Sequence, residues 1–209
     1  MIKIAVLVSG SGSNLQALMD ANLSGQIVGV ISNKPEAYAL QRAQKSGIAT
    51  AVIEHKHYPN RESFDDVMHQ QLLDWDVDLV VLAGFMRILS PKFVAAWEGE
   101  MVNIHPSLLP FYKGMHTHQR VLNTGETMHG CTVHYVTAEL DAGQALTQAV
   151  LQIKAHDNAE SLAQRVHVLE HIIYPQAVEW ICNGTIQHTQ NGVLYRGQPM
   201  LEPIQFCKF

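Results

Sequence analysis

The chain has 209 residues, 47% of them hydrophobic and 16% charged, and carries a formal net charge of −5. That composition fits one soluble globular domain and excludes a disordered or fibrous chain. No run of Lys or Arg supplies the electrostatic footprint of a nucleic-acid binder, and no apolar run reaches membrane-spanning length.

Ile2–Val8, apolar apart from Lys3, predicts a strand. The turn Ser9-Gly10-Ser11-Gly12-Ser13-Asn14 follows, and a helix starts at Leu15. Ile27–Ser32 predicts a second strand, Ala37–Ser46 a helix stopped at Gly47, and Thr50–Ile53 a short strand. Across Arg61–Asp74, Phe64, Val67, Met68, Leu72 and Leu73 fall near one helical face. Leu79–Ala83 is an apolar strand ended by Gly84. Ser90-Pro91 reads as N-cap and first residue of another helix, and Met101–His105 as a strand. Pro106–Asn123 is expected to be a loop. Cys131–Val136 and Ala145–Ile153 read as strands, and Asn158–Asn183 as a long helix that Pro175 kinks or breaks. Thr185–Thr189 and Val193–Tyr195 form a hairpin around Asn191-Gly192.

Strands alternating with helices imply an α/β fold. The expectation is a single doubly wound, mostly parallel sheet with helices on both faces and some antiparallel extension in the C-terminal half. The three cysteines, Cys131, Cys182 and Cys207, are far apart and lie outside any C-x-x-C pattern. They read as reduced thiols of a cytoplasmic protein. The N-terminus begins at once as a strand and lacks a signal peptide's charged region.

In parallel sheets, ligands bind beyond the carboxyl ends of the strands. Ser9–Asn14, Gly84–Leu89 and Asn103–His105 all follow or form such ends, so they are expected at one edge. Gly10 and Gly12 can let backbone N–H groups approach a phosphate at a helix N-terminus, or they can make a plain βα turn. A dinucleotide fingerprint is disfavoured, because the third glycine is missing and no acidic residue closes the second strand. Asn103 and His105, two apart on a strand, face one way, and Pro106 keeps His105 extended. An amide beside an imidazole is a poor core pair and a good pair of donors to an oxyanion. Asp141, in Glu139-Leu140-Asp141-Ala142-Gly143, can fix the tautomer of His105 or serve as an ordinary Asx-turn. His116-Thr117-His118 lacks a third ligand at recognisable spacing, so no metal is expected.

Six segments carry a family resemblance over nearly the whole chain. They are Val8–Ala17, Leu82–Leu89, Asn103–Pro110, His129–His134, Glu139–Gly143 and Glu170-His171. In them the sequence resembles the phosphoribosylglycinamide formyltransferases, folate-dependent enzymes of purine synthesis. The resemblance implies transfer of a formyl group from 10-formyltetrahydrofolate, a co-substrate, to the amine of glycinamide ribonucleotide. A tetrahedral intermediate would be stabilised by Asn103 and His105, with Asp141 assisting proton transfer. It further implies that Gly12, Ser13, Asn14 and Glu170 bind the ribonucleotide. Arg61, Met86, Arg87, Ile88, Leu89, Thr137, Ala138, Glu139, Leu140, Asn103 and Asp141 would hold the folate. Residues 1–100 would then be the phosphate-binding half of the single domain, and 101–209 the catalytic and folate-binding half. Partners would be small molecules only, without nucleic acid or membrane, on a monomer or weak homodimer. The alternatives are a formyltetrahydrofolate hydrolase, which would carry an extra N-terminal domain, and a non-enzymatic nucleotide-binding module, which would leave Asn103 and His105 unexplained. Phe111–Met115 and Gln144 depart from the family pattern.

Overall fold

The computed structural model describes residues 1–207. The fold is α/β, with a mostly parallel sheet, helices, and an antiparallel extension in the C-terminal half, as expected. The chain forms two compact units, Met1–Val102 and Asn103 onward.

The first unit holds β1 (Lys3–Val8), α1 (Ser13–Asp20), β2 (Gln26–Ser32), α2 (Tyr38–Lys45), β3 (Ala49–Val52), α3 (Arg61–Asp74), β4 (Leu79–Leu82) and α4 (Pro91–Ala96). Its strands run β3-β2-β1-β4, all parallel. Ala5–Val8 and Leu79–Leu82 are buried throughout, the pattern of parallel strands covered on both faces. Leu15 and Leu18 of α1 and Phe64, Met68 and Leu72 of α3 are buried as well. Val67 and Leu73, grouped with that face from the sequence, are exposed, and Asp65 is buried instead. At 3.6 residues per turn, Leu73 stands half a turn out of phase with Phe64, and the buried stripe leans toward Asp65 rather than Val67. Asn60 caps α3 through Ser63 N–H at 2.8 Å, and Ser90 caps α4 through Phe93 N–H at 3.3 Å, with Pro91 at the first position.

β5 (Met101–His105) runs into the second unit, which adds α5 (Thr117–Thr124), β6 (Met128–Tyr135), β7 (Ala145–Gln152) and α6 (Ala159–Cys182). The hairpin β8 (Ile186–Thr189) and β9 (Gly192–Tyr195) forms as expected, extended by β10 (Gln198–Pro199). β6 and β7 pair antiparallel, and β11 (Ile204–Cys207), not expected from the sequence, adds parallel to β7. The stretch read as one loop, Pro106–Asn123, contains α5. Only Val121 and Leu122 are aliphatic in that helix, too few for a continuous apolar stripe, and the left-handed residues His116 and Gly125 delimit it. α6 packs on β6 and β7 and runs through Pro175 unbroken, because Ile173, Tyr174, Ala177 and Val178 are buried around the proline. Its N-terminus has a reciprocal cap, Ser161 N–H to Asn158 Oδ1 at 2.9 Å and Asn158 N–H to Ser161 Oγ at 3.0 Å. Cys131 and Cys182 form no disulfide, and the side chain of Cys207 lies outside the described part. Among the described residues no helix is long and apolar enough to cross a membrane.

Candidate active site

In the first unit, β1 and β4 lie side by side with Leu7 opposite Leu82, and their carboxyl ends open into the Gly/Ser loop and the Gly84–Leu89 segment. The chain winds outward from β1 through β2 and β3 on one side and returns at β4 on the other. This is the switch point at which α/β sheets bind ligands. Gly12 has φ 72° and precedes α1 without a side-chain cap, and no acidic residue occupies the first turn. The helix end therefore presents its N–H groups and positive dipole end without a competing carboxylate. A Cβ on Gly12 would stand 2.6 Å from Ala39 Cβ and 2.8 Å from Ala39 Cα. Glycine is thus required here by the turn and by the packing of α2, beyond any ligand. Arg42 pins the loop through Nε to Ser11 O at 2.9 Å and Nη1 to Gln16 Oε1 at 2.9 Å. Ser13 and Asn14 are half-buried at the start of α1. Arg61, Met86, Arg87 and Ile88 are exposed, and Leu89 is buried.

In the second unit, Asn103 and His105 sit two apart near the end of β5, with the buried Ile104 between them. Asp141 Oδ2 lies 3.4 Å from His105 Nδ1, and both side chains are more than nine-tenths buried. The same oxygen accepts the Gly114 N–H at 2.8 Å. His105 Nε2 meets the Tyr112 carbonyl at 3.0 Å. Both ring nitrogens therefore face acceptors, so the pocket can receive both protons of an imidazolium. The backbone beneath this group is strained: Tyr112, His116 and Asp141 have φ of 55°, 58° and 48°.

His134 completes the cluster. Its Nδ1 lies 2.8 Å from Tyr135 O, so that nitrogen carries the proton and donates. Nε2 is then the acceptor, and it receives the Asn103 Nδ2–H at 3.3 Å. Burial, the dominant cause, pushes the His134 pKa down against the raising effects of the Tyr135 carbonyl and Asp141. A neutral His134 cannot donate from Nε2 to Asp141 Oδ1, which stands off at 3.8 Å. Its effect is to orient the Asn103 amide. The segment after His105 is tied down by Thr132 Oγ1, which accepts the Leu109 N–H at 3.1 Å and donates to Ser107 O at 2.7 Å.

The structure thus brings Asn103, His105 and Asp141 into one cluster. Thr137, Ala138, Glu139 and Leu140 form the exposed approach to Asp141. Thr137 Oγ1 donates to Glu139 O at 3.1 Å, and Glu139 pairs with Lys113 at 2.9 Å. Glu170 is buried on α6. Gln144 donates from Nε2 to Met200 O at 2.5 Å, tying the Asp141 loop to the C-terminal segment. A cleft of about 260 Å³ opens beside it, lined by Leu109, Lys113, Asp141, Gln144 and Leu201 among others. His118 Nδ1 and His129 Nε2 pair at 3.0 Å. Sequence reasoning missed His134 and the Tyr112 carbonyl. The available signal for His134 was strand parity, since Thr132 and His134 share a face of β6.

Residues 2–178 match the formyl transferase family model. The chain is 43% identical to the phosphoribosylglycinamide formyltransferase of Escherichia coli over 94% of its length and 95% of that protein. It is 48% identical to the human trifunctional purine biosynthetic protein adenosine-3 over 91% of the chain, and it spans only 19% of that longer protein. Among solved structures, the phosphoribosylglycinamide formyltransferase of Coxiella burnetii superimposes with a TM-score of 0.92 at 45% identity, covering 97% of this chain and 99% of that one.

Proposed function

Because the chain belongs to the phosphoribosylglycinamide formyltransferase family, we propose that it moves the formyl group of 10-formyltetrahydrofolate to the amine of glycinamide ribonucleotide in purine synthesis. The observation that carries the reading is the cluster of half-buried Asn103 with the buried His105 and Asp141 side chains and neutral His134 behind it. The folate supplies a formyl carbon on a nitrogen that can depart. The chain's own residues do the rest. His105 donates from Nε2 to the oxygen on which negative charge develops, and that oxygen takes the place the Tyr112 carbonyl holds in this structure. Asn103, its amide oriented by His134, donates its second N–H to the same oxygen. Each such donor is worth about 10²–10³ in rate. Asp141 receives the His105 Nδ1–H. It also organises passage of the proton shed by the attacking amine to the departing nitrogen, so that no net proton is drawn from the protein.

The uncapped start of α1, with Gly12, Ser13 and Asn14, fits the ribonucleotide phosphate, and Glu170 its sugar and amine side. Arg61, Met86, Arg87, Ile88, Leu89 and the Thr137–Asp141 loop hold the folate. The same reading treats the chain as one working domain of a cytoplasmic enzyme with small-molecule partners. It is tested by incubating purified protein with both substrates. Formylated ribonucleotide should appear one for one with tetrahydrofolate. Formate release without formylated ribonucleotide would identify a hydrolase, and binding of the ribonucleotide alone a simple nucleotide module.

A further inference from the structure

The segment between β4 and α4 is held at both ends by side chains from distant parts of the first unit. At its start, the Met86 N–H donates to Ser9 Oγ at 2.8 Å, and that hydroxyl donates onward to Asn33 Oδ1 at 2.6 Å. Ser9 and Asn33 are both buried, and the bond between them is shielded from water. At its end, the Ser90 N–H donates to Asp65 Oδ2 at 2.6 Å, and Asp65 on α3 is 1% exposed. A carboxylate buried to receive one amide is an expensive choice, since desolvation acts against its charge. A charge-assisted bond is also about twice as strong as a neutral one.

Between these ties Met86, Arg87 and Ile88 are exposed. Met86 is 66% exposed and Ile88 64%, while Leu89 is buried. The segment stands at the carboxyl end of β4, beside the Gly/Ser loop at the carboxyl end of β1. Large apolar side chains on a backbone fixed at the sheet's ligand-binding edge make a preset contact surface rather than a mobile loop.

We propose that Ser9 and Asp65 are positioning residues: by fixing the Met86 and Ser90 amides they hold Met86–Leu89 as a rigid apolar ledge for the ring system of the formyl donor. The inference rests on the reading of the chain as a folate-dependent formyltransferase. Neither residue touches a reacting atom. Rigidity established before binding spares the cost of ordering the ledge when the donor arrives.

The test uses Ser9→Ala, Asp65→Leu and Asp65→Asn in the full chain. Asp65→Leu removes the acceptor while keeping the branched heavy-atom skeleton, and Asp65→Asn keeps a carbonyl oxygen for the Ser90 amide. Two quantities are read: hydrogen exchange at the Met86 and Ser90 amides, and separate KM values for 10-formyltetrahydrofolate and glycinamide ribonucleotide. Ser9→Ala should speed exchange at Met86, and Asp65→Leu at Ser90, by roughly tenfold or more. Both should raise the donor KM about tenfold. In Asp65→Leu the ribonucleotide KM should stay within about twofold, and Asp65→Asn should restore both readouts most of the way. Unchanged exchange shows that there is no clamp. Faster exchange with an unchanged donor KM shows that the ledge does not serve the donor. Either result overturns the proposal. If Asp65→Leu does not fold, Ser9→Ala decides alone. A parent protein that transfers no formyl group instead defeats the functional reading, while the exchange rates still decide the clamp.

Discussion

The Asp141 carboxylate meets His105 through a single oxygen: Oδ2 lies 3.4 Å from Nδ1 and simultaneously accepts the Gly114 N–H at 2.8 Å. One atom therefore anchors the turn that follows Tyr112 and faces the imidazole. Asp141 also holds φ 48°, a left-handed conformation that Asn tolerates and Ala does not. Asp141→Asn is accordingly the informative substitution. Its amide oxygen can keep the Gly114 bond while the charge facing His105 is lost. The turnover number should fall by about 10²–10⁴, with little change in melting temperature or in ribonucleotide KM. Turnover within a factor of a few of the parent would reduce Asp141 to a turn residue.

His134 acts through Asn103. Asn103→Ala removes a donor outright and should cost about 10²–10³ in turnover. His134→Phe removes only the acceptor that orients the amide, so its cost should be smaller, roughly tenfold. The two act on one amide, so the double variant should be no slower than Asn103→Ala within about twofold. Multiplicative losses in steady-state assays would show that His134 has a separate role.

The glycines of the phosphate loop divide by what surrounds them. Gly12→Ala forces a Cβ against Ala39 at 2.6 Å in a left-handed conformation. It should destabilise the fold by about 2–4 kcal/mol, visible in chemical denaturation without any ligand. Gly10 has open space where a Cβ would stand and no left-handed φ, although its carbonyl accepts the Ala39 N–H at 3.1 Å. Gly10→Val should leave stability within about 0.5 kcal/mol and weaken ribonucleotide binding about tenfold, with folate binding unchanged. Equal loss for both ligands, measured by calorimetry, would remove the phosphate from this loop.

The sequence shows most clearly those features that local chemistry dictates. Asn103 and His105 are legible because an amide and an imidazole at i and i+2 on an apolar strand have no reason to be there as core. Ser90-Pro91 and Asn158 are legible as caps for the same local reason. The partners of these residues are not. Asn103 meets His134 across 31 positions, and Met86 meets Ser9 across 77, through pairings that no period or motif encodes. α5 is hidden because it buries Thr117 and Val121 rather than a full apolar stripe. β11 is hidden because Gln205 interrupts its apolar run, and the bond from Gln205 Nε2 to Gln148 Oε1 at 3.0 Å joins residues 57 positions apart.

Acid should weaken the fold through a buried imidazole pair. His118 and His129 meet edge to face at 3.0 Å through one ring nitrogen each, an arrangement that needs one of the two to remain an unprotonated acceptor. Burial, followed by neighbouring imidazoles, pushes both pKa values down to about 4 from an ordinary 6.5. For His118 those neighbours are His167 and His105, and for His129 they are His118 and His105. The folded state therefore binds fewer protons than the unfolded state between these values, and stability falls as pH falls. The contribution is fully present above pH 6.5 and is lost progressively toward pH 4. Asp65, whose carboxyl burial pushes up, has the opposite sign and opposes the loss. The clean window is thus the upper part, from about pH 6.5 to 5, before carboxylates dominate. The urea midpoint should be flat from about pH 8 to 7 and then decline through that window. His118→Asn should reduce the slope without abolishing it, because burial also depresses His129, His134 and His171. A midpoint that holds level from about pH 7 to 5 in the parent would mean that the pair accepts a second proton in place, and that its burial carries no acid sensitivity.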